Sequence, residues 1–288
     1  MTNFERYQEW AKRYADRIAK QQAENSNLDE KPKDDSEQQN PVLPLGFGKA
    51  FFLEGDFGKK IHEQVIAKYG SFDVINKVKY DTQSKLVKGS TPFYVSAVNE
   101  FLEPHGMRTA TQADLERILK NNILLIKSRY EDSSLVLRTN KNPNSYLAEK
   151  LYEQLEKRGF NKNVKDGTPS VIPLFCLRLD KDNNSPHKLA FRIVDTTNVF
   201  TAQILNSKAG SYINPAEIDE NSGLPNKVYD KSFPGIRQLL TINSGISRLG
   251  LYGYLNIGSD NGSLAGSDGG GRVVVVSGEA TAGKNNND

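Results

Sequence analysis

The stretch that decides the fold runs from Asn122 to Asp195, and four pieces carry its signal: NILLIKSRYEDSSLVLRT (122–139), SYLAEKLYEQLEKR (145–158), VIPLFCLRLD (171–180) and KLAFRIVD (188–195). Apolar residues alternate in the first, third and fourth pieces and recur every three or four positions in the second, so the period passes from two to about 3.6 and back. This predicts strands at Ile123 to Arg129 and Leu135 to Thr139 joined by a turn at Glu131 to Ser134, a helix from Ser145 to Arg158, and strands at Val171 to Asp180 and Lys188 to Asp195. A helix packed on an antiparallel sheet has this pattern, so the expected fold class is α+β around a ββαββ core.

Within that core the helix should bury Leu147, Ala148, Leu151 and Leu155 and end at Gly159. The second hairpin should turn Phe175, Leu177 and Leu179 inward together with Leu189, Phe191 and Ile193. Its other face then gathers Cys176, Arg178, Asp180 and Arg192, and symmetric pairing about the 181–187 loop would set Cys176 across from Arg192. A neighbouring cation lowers a thiol's pKa, so these four residues are the candidate catalytic group, with the 27 residues 206–232 as a candidate lid. The competing reading is an inert core cysteine, because a free Cys packs as a small hydrophobe.

The flanks give the organisation. Thr2-Asn3-Phe4-Glu5 has the form of a capping box, and Phe4, Tyr7, Trp10 and Tyr14 make an aromatic stripe, which predicts an amphipathic helix over 1–23. Residues 24–44 hold two lysines against six acids and one large apolar residue before Val42, the composition of a disordered acidic linker. The tethered stripe therefore needs a surface, either on its own domain or on a protein partner. Residues 45–121 read as a helical region: a helix from about Phe57 to Lys68, a strand pair within Val74 to Lys88, a helix from Pro92 to Glu103 and a helix from Gln112 to Asn121. Residues 122–279 read as the β-rich core, with Val273 to Val276 buried on both faces, and 280–288 as a disordered tail.

Composition narrows the function classes. The single cysteine excludes an intramolecular disulfide and fits a reducing compartment, and no apolar run is long enough to span a bilayer, so a cytoplasmic location without membrane contact is expected. His62, His105 and His187 lie in separate segments, and Asp180-Lys-Asp-Asn-Asn184 lacks the glycine and the glutamate of a calcium loop, so no metal and no cofactor is expected. Gly269-Gly-Gly-Arg272 could cradle an anion through its backbone N–H groups. Lys59, Lys60, Lys77, Lys79, Lys85 and Lys88 are candidate nucleic-acid contacts, although edge strands also carry lysine to prevent sheet association and no arginine or aromatic readout residue is interleaved with them. With a net charge of only +3 and no convergent acid, base and nucleophile, the expectation is a binding or interaction protein without a catalytic motif. A nucleic-acid binder using the lysine-rich face, and an enzyme with its site at the 171–195 hairpin, are the alternatives.

Overall fold

The computed structural model describes residues 48–121, 123–124, 129–160, 167–207, 210–232, 236–267 and 269–277. The expected helix over 1–23 with Phe4, Tyr7, Trp10 and Tyr14, the linker at 24–44 and the tail at 280–288 lie outside the described residues.

Strand β1 (Ala50–Phe52) leads into helix α1 (Gly55–Tyr69), which buries Ile61, Val65 and Tyr69 at helical spacing. A two-stranded ribbon follows, β2 (Lys79–Asp81) and β3 (Leu86–Lys88). Val74 and Ile75 are buried in turns ahead of it, so the strand expected from Val74 is cut to its last residues. Helix α2 (Pro92–Leu102) begins where Thr91 accepts a hydrogen bond from the Tyr94 N–H at 3.0 Å, with Pro92 at the first helical position. Strand β4 (Met107–Thr109) precedes helix α3 (Gln112–Lys120), which starts in a capping box between Thr111 and Asp114.

The remaining elements are β5 (Tyr130–Leu137), α4 (Ser145–Lys157), β6 (Ser170–Pro173), β7 (Leu177–Lys181), β8 (Leu189–Ile193), β9 (Phe200–Thr201), β10 (Ser211–Ile213), β11 (Arg237–Thr241), β12 (Ile246–Leu251), β13 (Ile257–Ser259), β14 (Gly271–Arg272) and β15 (Val274–Ser277). They form a curled, half-barrel sheet in the order β10-β11-β13-β12-β5-β6-β9, with β14 paired to β5. The order β1-β15-β4 makes a second sheet, and β2–β3 and β7–β8 stand as separate ribbons. Only β11–β13 and β14–β5 are parallel, so the class is mixed α+β with mostly antiparallel pairing. Among the described residues no helix is long and apolar enough to cross a membrane.

Two apolar cores lie on opposite sides of shared strands. Leu135 and Leu137 of β5, Ile172 of β6 and Val273 and Val275 at β15 face the core that holds α1, α2, α4 and the β7–β8 hairpin. Val136, Val171, Val274 and Val276 face the other, which holds α3 and β10 to β13. Each shared strand has both faces buried, which is why the 273–276 run contains no polar residue. Because β15 pairs with both β1 and β4, the last of the described strands is the centre of a sheet whose edges come from residues 50–52 and 107–109.

The ββαββ expectation needs correcting at both hairpins. Glu131 to Ser134 are not a turn: they are interior residues of β5 and all four are buried. Their turn-like composition is overridden by polar partners from distant segments, Ser90, Gln112 and Arg248 among them. Ile123, Leu124 and Arg129 are not in a strand, and residues 125–128 lie outside the described set. Val171 to Asp180 is not one strand either. Pro173 has no N–H to donate, the chain leaves the large sheet there through a 3-10 turn at Leu174–Cys176, and β7 restarts in a separate ribbon. Helix α4 keeps its expected stripe of Leu147, Ala148, Leu151 and Leu155.

Candidate functional site

The hairpin that carried the catalytic candidates is built as a structural unit. Leu177, Leu179, Leu189, Phe191 and Ile193 are buried, and the Phe191 ring stacks on Phe93 at 4.5 Å between centroids. Its register sets Arg178, not Cys176, across from Arg192. Cys176 sits in the 3-10 turn before β7 with no exposed surface, and burial pushes its thiol well up, with the Asp195 charge adding and Arg108 and Arg178 opposing. Arg178 is tied to Glu103 at 2.6 Å and Arg192 to Asp180 at 2.9 Å, so the two guanidinium groups are engaged elsewhere than at the thiol. The free edge of β8 is capped by α4: Gln154 donates to the Phe191 carbonyl at 2.9 Å and accepts from the Ile193 N–H at 2.8 Å, and Arg158 donates to the Ile193 carbonyl at 2.6 Å.

Residues 206–232 are not a lid on this hairpin. The described residues of this range belong with the other core, where Ile213 and Leu224 are buried, Lys120 of α3 pairs with Glu220 at 2.6 Å, and Tyr212 bridges Tyr229. Close by, Arg237 of β11 grips Glu116 of α3 through two hydrogen bonds of 2.6 Å each.

Charge concentrates instead where β5 meets β12 and β14. Pairing jumps from Leu249 with Ser134 to Gly250 with Asp132, leaving Ser133 as a bulge. A bulge re-aims the residues beyond it. Asp132 therefore meets Arg248 at 3.4 Å and accepts from the Ser90 hydroxyl at 2.7 Å, while the Ser133 hydroxyl donates to Gln112 at 3.1 Å. Burial raises the Asp132 carboxyl above its ordinary value, against the pull of Arg248 and Ser90. Glu131, beside it, is 2 % exposed and neither carboxyl oxygen has a hydrogen-bond partner among the described residues. Burial raises its pKa far above the usual carboxylate range, Asp132 adds to the rise, and Arg272 and Arg129 oppose it.

Arg272 reaches this corner because β14 lies parallel to β5, with Arg272 paired to Glu131. The glycine run before it makes this possible. The Gly89 N–H donates to the Gly271 carbonyl at 2.9 Å, and a Cβ on Gly271 would fall 2.5 Å from the Ser90 nitrogen. No residue with a side chain fits that contact. The run does not cradle an anion through its N–H groups: the Gly269 and Gly271 carbonyls accept from the Arg272 guanidinium, at 2.8 and 2.5 Å. Burial, then repulsion from Arg129, lower Arg272 below the ordinary arginine value, while Glu131, Tyr130 and Asp81 support its charge.

Gly89 closes the β2–β3 ribbon, so the same contact brings the lysines to this corner. Lys79 faces Lys88 directly across the ribbon, and Tyr80 and Val87 fill its inner side. Like charges directly opposite destabilise a strand pair. One acid answers them: Asp81 pairs with Lys88, and that contact, with hydrogen bonds from Ser84 and the Gln83 N–H, holds the Asp81 carboxyl far below its ordinary value. Lys77, Lys79 and Lys85 are exposed and form no ion pair among the described residues. Lys59 pairs weakly with Glu63 at 3.8 Å on α1, one turn before His62, whose ring faces Tyr80. Lys60 stands about 200° around the helix from His62 and faces away from the ribbon.

The structure therefore brings together Lys77, Lys79, Lys85 and Lys88 and adds Arg129, with Arg272 buried next to it and held by the Gly269 and Gly271 carbonyls, while Lys60 stands apart. The two arginines were invisible in the sequence because 129 and 272 are joined only by the parallel β14–β5 pairing. The one local signal was the triple glycine before Arg272, which marks a close backbone approach. Among the described residues no group of three His, Cys, Asp or Glu side chains forms a metal site. No protein-family model, no curated protein and no solved structure matches this chain.

Proposed function

We propose that this protein is a binding protein rather than an enzyme, and that it takes a polyanion, nucleic acid, along the β2–β3 ribbon and the adjoining Arg129. The observation that carries the reading is an excess of unanswered cations at one place. Lys77, Lys79, Lys85 and Arg129 have no carboxylate partner among the described residues, and burial raises the pKa of the neighbouring Glu131 far above the usual carboxylate range. Residues 48–88 carry eight lysines against five acids, while the net charge of the whole chain is +3. Of these lysines, Lys60 faces away and Lys68 pairs with Glu100, so the surplus at the ribbon rests on Lys77, Lys79 and Lys85. Binding through phosphates rather than base edges follows from the residue types, since lysines on a short ribbon supply point charges and few directed donors. The reading without chemistry is supported by Cys176, whose buried thiol and engaged arginine neighbours leave no nucleophile at the hairpin.

The test is a mobility shift of the full chain with single-stranded DNA, single-stranded RNA and duplex DNA at low salt. Retardation is expected, with log K falling against log salt at a slope near the number of phosphates contacted, about four to six. The triple reversal Lys77→Glu, Lys79→Glu, Lys85→Glu should abolish the shift, whereas Lys181→Glu, Lys188→Glu on the β7–β8 hairpin should leave it. No retardation at micromolar protein would remove the proposal.

A further inference from the structure

We propose that Tyr254 is a base-stacking platform, so that the ligand taken along the β2–β3 ribbon and Arg129 is a single strand of nucleic acid with unpaired bases. This rests on the polyanion reading and narrows its substrate class. Among the described residues the exposed large hydrophobic side chains are Ile123 at 44 %, Val194 at 39 % and Tyr254 at 90 %. A tyrosine ordinarily covers its ring and keeps only the hydroxyl in water. Tyr254 instead stands out at the tip of the β12–β13 hairpin, between Gly253 and the buried Leu255.

The tip is built to hold that ring still. Leu255 adopts a left-handed backbone with φ 64°, a conformation that persists only where its surroundings over-determine it. Its N–H donates to the Tyr252 carbonyl at 2.6 Å, and its own carbonyl accepts from Arg237, whose guanidinium is gripped by Glu116. Asn256 adds a second tie: its carbonyl accepts from the Tyr252 N–H at 3.0 Å and its side-chain oxygen from the Gln238 N–H at 2.9 Å. The Tyr252 ring lies against Gly258, where a Cβ would collide with it. The turn thus buries Leu255 and turns Tyr254 outward, and a ring on a fixed mount has little freedom to lose on binding. The register sets cations beside it. Leu251 pairs with Glu131, so the residues after Leu251 run toward Tyr130 and Arg129; Tyr130 pairs with Gly271, whose carbonyl accepts from Gly89 at the end of the ribbon. Three strand spacings of about 4.8 Å, roughly 15 Å in all, separate the base of the tip from Gly89, a distance that a short single strand covers. Cations along the backbone with an exposed aromatic face beside them suit unpaired bases, each of which offers a flat face, whereas a duplex keeps those faces stacked.

The experiment compares wild type and Tyr254→Ala, both as full chains, at low salt on four probes: a deoxythymidine oligonucleotide, its uridine counterpart, duplex DNA of the same length, and an oligonucleotide of abasic sites. Tyr254→Ala should lose about 5- to 100-fold in affinity for both single strands, the worth of one base stacked on an aromatic ring. Its affinity for the duplex and for the abasic strand should equal that of wild type, and its slope of log K against log salt should be unchanged, because no phosphate contact is removed. Tyr254→Phe and Tyr254→Trp, which keep a flat face, should bind the single strands as wild type does. Single-strand binding that Tyr254→Ala leaves intact, or a loss of equal size on single strand, duplex and abasic strand, would overturn the platform alone. Failure of wild type to bind any of the four probes would overturn the polyanion reading and the platform with it.

Discussion

The β7–β8 hairpin and the β2–β3 ribbon are the same motif put to opposite uses. In β7–β8 five apolar side chains face the core, the open edge of β8 is closed by Gln154 and Arg158, and both outward arginines have an acid within 2.9 Å. In β2–β3 only Val87 is fully buried, two lysines face each other across the strands, and one carboxylate serves the whole face. In β7–β8 Lys181 is the one strand cation without an acid among the described residues, so little charge is left over. A ribbon whose charges exceed their partners stays stable only because it is short and tied to the rest, here through the Gly89 and Gly271 contact and the Leu53 carbonyl, which accepts from the Val87 N–H at 3.0 Å.

The largest expected effect separates the two on stability. Phe191→Ala, which removes a ring stacked on Phe93 inside the core, should destabilise the protein by about 3–5 kcal/mol in denaturant unfolding. Lys79→Glu in the ribbon should do the reverse on a small scale, stabilising by about 0.2–1 kcal/mol as it turns a repulsive cross-strand pair into an attractive one, while lowering polyanion affinity at low salt. A ribbon variant that lost stability and binding together would make its lysines structural and erase the distinction.

Much of this contrast could be read from the sequence and some could not. The α4 stripe, the inward Leu177, Leu179, Leu189, Phe191 and Ile193 of β7–β8 and the doubly buried 273–276 run follow from local periodicity, whereas Phe175, expected inward with them, is half-buried in the 3-10 turn. What failed depends on partners far along the chain. Glu131 to Ser134 have the composition of a turn and become a buried strand because Ser90, Gln112, Arg248 and Arg272 arrive from other segments. The expected pairing of Cys176 with Arg192 slipped because the 3-10 turn at Leu174–Cys176 displaced the start of β7, a consequence of Pro173 that a strand pattern does not register. The lysines of the ribbon were legible, but the β14–β5 pairing that sets Arg272 beside Glu131 was not. The buried Arg138 was missed for the same reason. Its hydrogen bonds go to Leu205, Ser247 and Ser259, and burial holds it down to about 10, against the pull of Asp260.

The edge cap gives an intermediate effect. Gln154→Ala should cost about 1–3 kcal/mol, since it leaves the Ile193 N–H and the Phe191 carbonyl without partners, and it should make the protein associate at high concentration through the uncovered β8 edge. Light scattering after the substitution measures the second consequence. Native Cys176 should resist thiol reagents near pH 7 and react at the rate of unfolding; rapid labelling would return the hairpin to the list of reactive sites.

The smallest effect is on pH dependence. His62 is buried, shares a hydrogen bond of 2.7 Å with the Tyr94 hydroxyl, and has its pKa lowered by burial and then by Lys79. The unfolded chain therefore binds a proton more readily than the native one. The stability it contributes is present above pH 6.5 and is lost as pH falls below that toward the lowered native value. His62→Gln should flatten the stability profile in that window, with little change at pH 8. Glu131 has the opposite sign. Its native pKa is raised, so its contribution is complete below the ordinary glutamate value of about 4.3 and declines as pH climbs through the native one, a slope that Glu131→Gln should remove.

Hydrogen exchange on the full chain, with and without a single-stranded oligonucleotide at low salt, puts the difference between the two ribbons to its most direct test. Slowed exchange is expected in segments covering 77–90, 129–133 and 270–272, with the segment 177–193 unchanged. Protection of 177–193 instead, or no change anywhere under conditions where the oligonucleotide is in excess, would contradict the assignment of the β2–β3 ribbon and the adjoining Arg129 as the binding surface.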